Sequence, residues 1–576
     1  MKISKQELAI EAFKLAESAY LRLLQEQITS SDFNLDEAAM MFHTAQNILL
    51  MNVATFCGVE DNLVADVLVR WKCIYSEFRA ILFRFGIGSR YLQTFQTVEK
   101  MNLSEKLSGC DEMVALAEEH KETVNQVVRE VGQQILLCLL RQDYMQIQSI
   151  LEPDQLVLEY RLDEREGESE DPQAHNGYLV LLQPEGNPLV LPVDFQKVFP
   201  IIEKWVEMLS KVTDQSDGEK AAIDVANNLS NLLFPPDVCK VISKLEVKRL
   251  FICPDGALGV LPLELLPLED GQLLAEKCSV VHLSSARELL RELVIIAVST
   301  VQSISFKDFA SEECVIFANP DFDLENASPE GDSGFWASVI TSLASFISQP
   351  SPELATVPML PGSQEEADKI CTILSCADPR LTVSTFFLKS ATLKSLLEVE
   401  SPIILHLSTH GFSTPESRGL RCSFWDDTET GLLLAGANTY RAGRLKSIHQ
   451  QAGTGILTSL AACGMKLNGT RLVYLSTCVS SYGAYSYGEA LNSLAHSFRS
   501  AGAQTVIATL WPLVDNSAVT FADHFYREVC KPGVPPSHAL ACAKRKLRVE
   551  TSYNHWMFWG AFICIGLDKP LFHNST

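Results

Sequence analysis

The chain has 576 residues, of which 47% are hydrophobic, and its 47 Lys and Arg stand against 71 Asp and Glu for a formal net charge of −24. This length exceeds what one hydrophobic core supports and predicts two or three domains, while the apolar content excludes a disordered chain. The negative charge repels nucleic-acid phosphates and anionic lipids, so neither class of partner is expected.

The start of the chain and its cysteines indicate the compartment. Residues 1–20 place polar residues at helical spacing, unlike the apolar core of a signal peptide, and no later stretch has about 18 uncharged apolar residues in a row. The sixteen cysteines are spread along the chain, which argues against a disulfide framework and against a C-x-x-C zinc site. We therefore predict a cytoplasmic protein without membrane contact, whose cysteines are mostly buried thiols.

The first 150 residues show helical periodicity almost throughout, as in LAIEAFKLAESAYLRLLQEQ and LVADVLVRWKCIYSEFRAILFRF. This pattern predicts an all-α domain over residues 1–150. No two segments align at the period of tetratricopeptide or similar repeats. Two roles stay open for this domain, which either binds a regulatory or activating protein or caps the rest of the chain.

From about residue 155, short apolar runs alternate with helical patterns. This alternation predicts an α/β fold with a mostly parallel sheet flanked by helices. Strands are predicted in SPIILHLSTH, TRLVYLSTC, AQTVIATLW and GAFICIGL, and helices over 199–212, 220–233, 364–377, 486–500, 516–530 and 537–549. Ser486 with Glu489 is a possible capping box, Ser537 is expected to cap the last helix, and Gly502 suits a helix end.

Two residues with complementary chemistry follow predicted strands. His410 closes the run PIILHLST and Cys478 closes RLVYLST, and reacting groups in open α/β sheets collect beyond the carboxyl ends of the strands. If the strands are neighbours, the imidazole can stabilise the thiolate nucleophile and then protonate a leaving amine. The backbone N–H groups of Gly411 and Cys478 would then form an oxyanion hole. The alternative is a buried core thiol and a strand-end histidine without catalytic roles.

The same region contains two histidines, His406 and His410, at the i, i+4 spacing of helical zinc ligands. On a strand, four residues span about 13 Å, which is too far for one ion to contact both side chains. We therefore expect no metal and no other cofactor, and a structural role for His406.

Several ordered motifs resemble those of CHAT domains, which are caspase-like and are grouped with separases and caspases among the His-Cys dyad peptidases. The motifs are HLSTHGF (406–412), GLLLAGAN (431–438), GILTSLAACGMKLNGTRLVYLSTC (455–478), YGEALNSLAHSFRSAGAQTVIATLWPLVD (487–515), FYREV (525–529) and HWMFWGAFICIGL (555–567). Upstream, LFICPDGALGVLPLELLP (250–267), VIFANPD (315–321) and LPGSQEEADKI (360–370) are also similar to CHAT segments. The resemblance covers roughly residues 155–568.

The resemblance implies a division of the chain and a dyad. It assigns His410 and Cys478 to the catalytic pair and Gly411 with Cys478 to the oxyanion hole. It also implies a degenerate caspase-like or accessory half over 155–320 and an active half over 360–568. The Ser, Pro, Glu and Gly-rich stretch 323–358 between them is predicted to be a linker or mobile insertion.

The sequence departs from the family pattern at three places. These departures bear on which substrates are preferred and not on the class of activity. Thr477 replaces the alanine common before the nucleophile, Val479 replaces an acidic residue common after it, and 554–556 replaces an aromatic-Pro approach to the last strand. The turn 510–516 is placed to contribute a substrate pocket. If the Asp515 carboxylate lies in that pocket, it would favour Lys or Arg at P1. The alternative is that Asp515 or Asn516 only caps the following helix. An apolar pocket built from Trp511 also stays open.

The predicted function is therefore that of a cysteine endopeptidase that cleaves a protein substrate. The resemblance implies activation by a partner or signal and a role in defence or cell-death signalling. The mixed charges and glycines of 418–431 indicate a mobile loop over the crevice. Two other functions stay open: a catalytically silent scaffold that acts by protein-protein interaction, and acyl transfer to an acceptor other than water.

Overall fold

The structure is a computed structural model, and its description covers thirteen ranges of the chain. These are residues 5–30, 35–53, 60–87, 131–162, 177–211, 217–302, 312–324, 356–413, 430–441, 453–477, 493–511, 515–550 and 553–573. The helices and strands named below all lie within these ranges.

The described part of the N-terminal region is helical, as predicted. Its helices are α1 (Lys5–Thr29), α2 (Leu35–Val53), α3 (Asp61–Trp71), α4 (Ile74–Leu82), α5 (Gln133–Leu139) and α6 (Tyr144–Ile150). In α4, Ile74, Phe78 and Ile81 recur at helical spacing and are fully buried, so this face of the helix packs into the core. None of the helices in the described part of the chain is long and apolar enough to cross a membrane.

One large sheet runs through the rest of the chain. Its strands, in spatial order, are β3 (Leu189–Pro192), β2 (Gly177–Leu182), β1 (Gln155–Leu162), β4 (Arg249–Cys253), β5 (Ser279–His282), β14 (Phe562–Gly566), β13 (Thr505–Thr509), β12 (Leu472–Thr477), β8 (Ile404–Thr409), β6 (Glu313–Pro320) and β7 (Thr382–Leu388). Most neighbouring strands are parallel, and the antiparallel pairs are β3 with β2, β2 with β1 and β14 with β13. The predicted fold class is therefore confirmed.

A second, three-stranded sheet is antiparallel and follows β8 in the chain. It consists of β9 (Gly411–Ser413), β10 (Thr430–Leu433) and β11 (Ile456–Thr458), with β10 in the centre. Gly431 is required there, because a Cβ atom would lie 2.1 Å from the carbonyl oxygen of Leu457.

Helices accompany the large sheet. They are α7 (Phe195–Lys211), α8 (Asp217–Leu233), α9 (Pro236–Lys244), α10 (Leu274–Lys277), α11 (Arg291–Gln302), α12 (Pro361–Ala377), α13 (Leu393–Leu397), α14 (Ala437–Arg441), α15 (Ser459–Cys463), α16 (Leu494–Ser500), α17 (Asp515–Val529), α18 (Pro536–Val549) and α19 (Trp556–Trp559). All six residues of β8 are buried, as expected for a parallel strand covered on both faces.

The predicted helix ends have mixed outcomes. Gly502 follows α16 with φ +113°, which confirms it as a residue of the helix end. The prediction that Ser537 caps the last helix is wrong, because α18 already begins at Pro536. The side chain of Asp568, which follows β14, caps the first turn of α18 instead. It accepts hydrogen bonds from the backbone N (2.7 Å) and the Oγ (2.6 Å) of Ser537. Ser486 and Glu489 lie outside the described residues.

All twelve cysteines that the structure describes are free thiols. Burial raises the pKa of several, to about 12 at Cys278 and Cys314. These thiols stay protonated at neutral pH and are poor nucleophiles, in agreement with the prediction of mostly buried, reduced cysteines.

A buried ionic cluster connects β5 and the segment before it with helix α18. Glu264 is 3% exposed, and its carboxylate accepts from Lys544 Nζ at 2.8 Å and lies 3.1 Å from His282 Nε2. Burial alone would raise the pKa of Glu264, but Lys544 and His282 outweigh it and lower the pKa from 4.5 to about 2. The ionised carboxylate therefore stabilises the fold above pH 4.5, and this stabilisation is lost as the pH falls towards 2.

Glu264→Gln is accordingly expected to lower the free energy of unfolding by up to about 3 kcal/mol at pH 7. The difference from the wild type should narrow as the pH falls from 4.5 to 3, because the wild-type carboxylate then loses its charge. Urea unfolding at a series of pH values measures this, with Glu400→Gln at an exposed pair with Lys466 as the control. A difference that stays constant from pH 7 to pH 3 would contradict the assignment.

Candidate active site

The strands that precede the two predicted catalytic residues are neighbours. β8 and β12 pair in parallel over six residues, and the last pair joins Thr409 to Thr477. His410 and Cys478 come next in the sequence on each strand. Cys478 lies outside the described residues, so the geometry of the predicted dyad stays a prediction.

His410 lies at the junction of the two sheets. Its backbone oxygen accepts a hydrogen bond from Leu433 N at 2.9 Å, which joins the end of β8 to β10. Its half-buried ring packs against Phe322 with a centroid separation of 5.3 Å. Burial lowers the pKa of His410, and the hydrogen bond that its ring makes with Pro358 acts in the opposite direction.

A backbone carbonyl determines which ring nitrogen of His410 carries the proton. His410 Nε2 lies 2.8 Å from the oxygen of Pro358. A carbonyl oxygen only accepts, so Nε2 carries the proton and donates, and the neutral ring then has its lone pair on Nδ1. A base with an oriented ring and a free lone pair is the arrangement that general base catalysis requires.

A small apolar cluster lies beside the ring. It consists of the buried residues Phe322, Leu433 and Ala437, with Val357, Phe412 and Ile456 packed against them. Gly436 makes the turn that brings Ala437 into this cluster, since its φ of +89° is in the region that favours glycine. This packing fixes one face of the His410 ring.

A buried carboxylate links the two strands just before their ends. Glu366 of α12 is 2% exposed and accepts hydrogen bonds from Ser408 Oγ at 3.1 Å and from Ser476 Oγ at 2.9 Å. These serines precede His410 and Cys478 by two residues, and alternate residues of a strand share a face. Glu366 therefore holds β8 and β12 in register below the predicted dyad.

His406 belongs to the core, as predicted. It is fully buried, its Nδ1 lies 3.1 Å from the hydroxyl of Tyr526, and its ring stacks on Tyr474 with a centroid separation of 5.1 Å. Its strand β8 is confirmed, which supports the prediction that His406 and His410 do not share a metal ion.

The other predicted site residues are described only in part. Gly411 begins β9 and is paired with Leu432, and its role in an oxyanion hole stays a prediction. Trp511 is 2% exposed, donates from Nε1 to the Met557 oxygen at 2.9 Å and packs edge-on against Trp556. α17 begins at Asp515, and no side-chain contact of that residue is described. The substrate pocket therefore stays a prediction, and most of the predicted mobile loop 418–431 lies outside the described residues.

One group in the described part of the chain has a donor set that could hold a metal ion. Glu528 of α17 with His538 and Cys542 of α18 bring one oxygen, one nitrogen and one sulfur atom within 4.8 Å of one another. Lys531 Nζ is 2.7 Å from Glu528, and Arg545 donates to Cys542 Sγ at 3.1 Å. Cations already occupy two of the three donors, so we assign no metal to this group.

Sequence patterns did not identify the residues that contact the His410 ring or hold the segments next to it. Pro358 was placed in a predicted linker, and Phe322, Glu366 and Asn438 were not assigned roles. Their signal was present in the motifs VIFANPD, LPGSQEEADKI and GLLLAGAN, which lie at or next to these residues. The motifs carried a family resemblance, but their spatial convergence on His410 could not be read from spacing.

Comparison with curated proteins finds a relative of part of the chain. Over 248 residues the chain is 23% identical to tetratricopeptide repeat protein 28 of Homo sapiens, a match that covers 40% of this chain and 10% of that protein. The chain thus spans about a tenth of the length of this curated relative.

Two solved structures are also similar. The separase-securin complex of Saccharomyces cerevisiae matches at 10% identity and a TM-score of 0.44, covering 98% of this chain and 41% of that one. The Arg-specific cysteine proteinase gingipain R (RgpB) of Porphyromonas gingivalis matches at 9% identity and a TM-score of 0.33, covering 66% and 76%.

The family assignment comes from a family model. The model of the CHAT domain matches residues 224–567, which is more than half of the chain and includes His410, Cys478 and the strands β4 to β14. The chain therefore belongs to the CHAT domain family.

Proposed function

We propose that the protein is a cysteine endopeptidase in which Cys478 is the nucleophile and His410 is the acid/base. The observation that carries the proposal is the parallel pairing of Thr409 with Thr477, because it brings the next residue of each strand to the same edge of the sheet. Neighbouring strands lie about 4.8 Å apart, within reach of an imidazole and a thiol.

The reaction follows from these two groups. His410 Nδ1 accepts the thiol proton of Cys478, and the sulfur attacks the carbonyl carbon of the scissile peptide. The oxyanion is stabilised by the backbone N–H groups of Gly411 and Cys478. The C–N bond then breaks as His410 gives the proton to the leaving amine, and water hydrolyses the thioester.

The proposal extends to regulation and context on the strength of the family resemblance. Residues 1–150 are the proposed contact for an activating protein, and the proposed setting is the cytoplasm, in defence or cell-death signalling. A catalytically silent scaffold is the second candidate, because the human relative is named for its tetratricopeptide repeats.

A peptide electrophile tests the proposal directly. Peptidyl acyloxymethyl ketones with varied P1 residues lose a carboxylate when a peptidase thiolate forms the C–S bond. We expect labelling of Cys478, located by peptide mapping, none in Cys478→Ala, and labelling slowed by a factor of about 10² to 10⁴ in His410→Ala. A preference for Lys or Arg at P1 would support the role of Asp515, and a preference for apolar P1 residues that of Trp511.

The matched control is Cys376→Ala, because Cys376 is an exposed free thiol. This variant should label like the wild type. If Cys478 reacts no faster than Cys376, or if His410→Ala leaves its rate unchanged, the scaffold replaces the peptidase as the leading function.

A further inference from the structure

The carbonyl that holds His410 belongs to a short stretch of chain outside both sheets. Residues 356–360 precede α12 and form no strand. A backbone carbonyl orients an imidazole only if the peptide that carries it is fixed.

Two asparagine side chains hold this stretch on either side of Pro358. Asn438 Oδ1 accepts from Val357 N at 3.0 Å, and Asn438 Nδ2 donates to the Val357 oxygen at 2.9 Å. Asn319 Oδ1 accepts from Leu360 N at 3.2 Å. Asn438 thus binds both polar groups of the residue next to Pro358, as the edge of a neighbouring strand would.

Asn438 is itself well anchored. It is 2% exposed, and its backbone N donates to the Phe322 oxygen at 3.0 Å. Phe322 is the residue whose ring packs against His410. One residue therefore contacts the backbone of Phe322 and of the Val357-Pro358 segment, which together bound the His410 imidazole.

We propose that Asn438 is a positioning residue for His410, acting through the peptide that carries the Pro358 carbonyl. The inference rests on the proposed function of the dyad. An amide is required, because only an amide offers one donor and one acceptor at this spacing. Aspartate has nearly the same shape, but its ionised carboxylate would face the Val357 oxygen with no proton to donate.

The test is the pH dependence of alkylation of Cys478 by iodoacetamide, followed by peptide mapping in the wild type, His410→Ala, Asn438→Asp and Asn438→Ala. Alkylation consumes the thiolate and displaces iodide, so its profile reports the apparent pKa of the thiol. We expect both Asn438 variants to move the profile towards that of His410→Ala and to lower the rate at pH 7 by about ten- to a hundredfold, since misplacing a catalytic group by about 1 Å costs on the order of 10²-fold.

Asn468→Asp is the matched control, because it makes the same change at an asparagine whose Oδ1 accepts from Arg84 Nε at 2.9 Å. It should leave the profile unchanged. Thermal unfolding identifies the temperature range in which each variant is folded. Two different substitutions at Asn438 are used so that the test can proceed if one of the variants does not fold.

The outcomes separate the inference from the proposed function. If His410→Ala shifts the profile and both Asn438 variants do not, the positioning role is wrong and the dyad stands. If His410→Ala itself leaves the profile unchanged, the dyad is wrong and the positioning role falls with it.

Discussion

Arg291→Met is expected to lower the free energy of unfolding by about 3–5 kcal/mol, because it removes the cation from two buried carboxylates. Arg291 is 5% exposed, and its Nε donates to Glu77 Oε2 at 2.9 Å while its NH2 group lies 3.3 Å from Glu288 Oε2. Burial alone would lower the pKa of Arg291, but Glu77 and Glu288 outweigh it and hold the pKa above its ordinary value. The guanidinium therefore stays charged at every accessible pH.

The expected loss of stability is large because the carboxylates that Arg291 contacts are buried and cannot be solvated by water in its place. Glu77 of α4 is 1% exposed, and Glu288, fully buried, is also 3.2 Å from Arg499 of α16. The cluster thus joins the N-terminal helices, the start of α11 and the helix that follows β12. Loss of the central cation removes the partner of the buried Glu77 carboxylate and one of the two cations beside Glu288, so buried negative charge is left with less compensation for its desolvation.

Urea unfolding with two controls checks this prediction. Arg527→Met removes an exposed partner of Asp523 in α17 and should change stability by at most about 1 kcal/mol. The double variant Glu77→Leu with Arg291→Met should recover much of the loss, because apolar replacement of a buried pair is often nearly neutral. An Arg291→Met effect as small as that of Arg527→Met would contradict the assignment of a buried network.

Local patterns predicted most of the fold. The apolar run that ends in His410 is a buried strand, and the helical patterns at 516–530 and 537–549 correspond to α17 and α18 within one residue at each end. Periodicity works here because each element buries one face, or both faces, against the sheet. The dyad requires β8 and β12 to be neighbouring strands. The sequence stated this only as a condition, and the structure pairs the two strands.

The contacts around His410 could not be predicted, because they join segments far apart in the sequence. Pro358 and Asn438 are 52 and 28 residues from His410, and no periodicity links them. The predicted linker 323–358 ends at Pro358, whose carbonyl holds His410. Pro, Ser and Gly residues indicate a loop, but they do not indicate what the loop contacts. The prediction that Ser537 caps α18 was wrong for the same reason, since its partner Asp568 lies 31 residues further along the chain, just after β14.

Cys478→Ala is expected to abolish every cleavage that the protein makes, because none of the cysteines that the structure describes follows a strand at the edge where His410 lies. His410→Ala should reduce cleavage by a factor of about 10² to 10⁴, since the thiol then lacks its base and the leaving amine its acid.

The most direct test of the account is to incubate a proteome with the wild type, Cys478→Ala or His410→Ala, with a cell extract present as a source of activators, and to identify new protein N-termini by mass spectrometry. If Cys478 and His410 form the dyad, the wild type generates a defined set of N-termini, Cys478→Ala generates none of them, and His410→Ala generates them far more slowly. A wild type that generates no N-terminus beyond those seen with Cys478→Ala would contradict it.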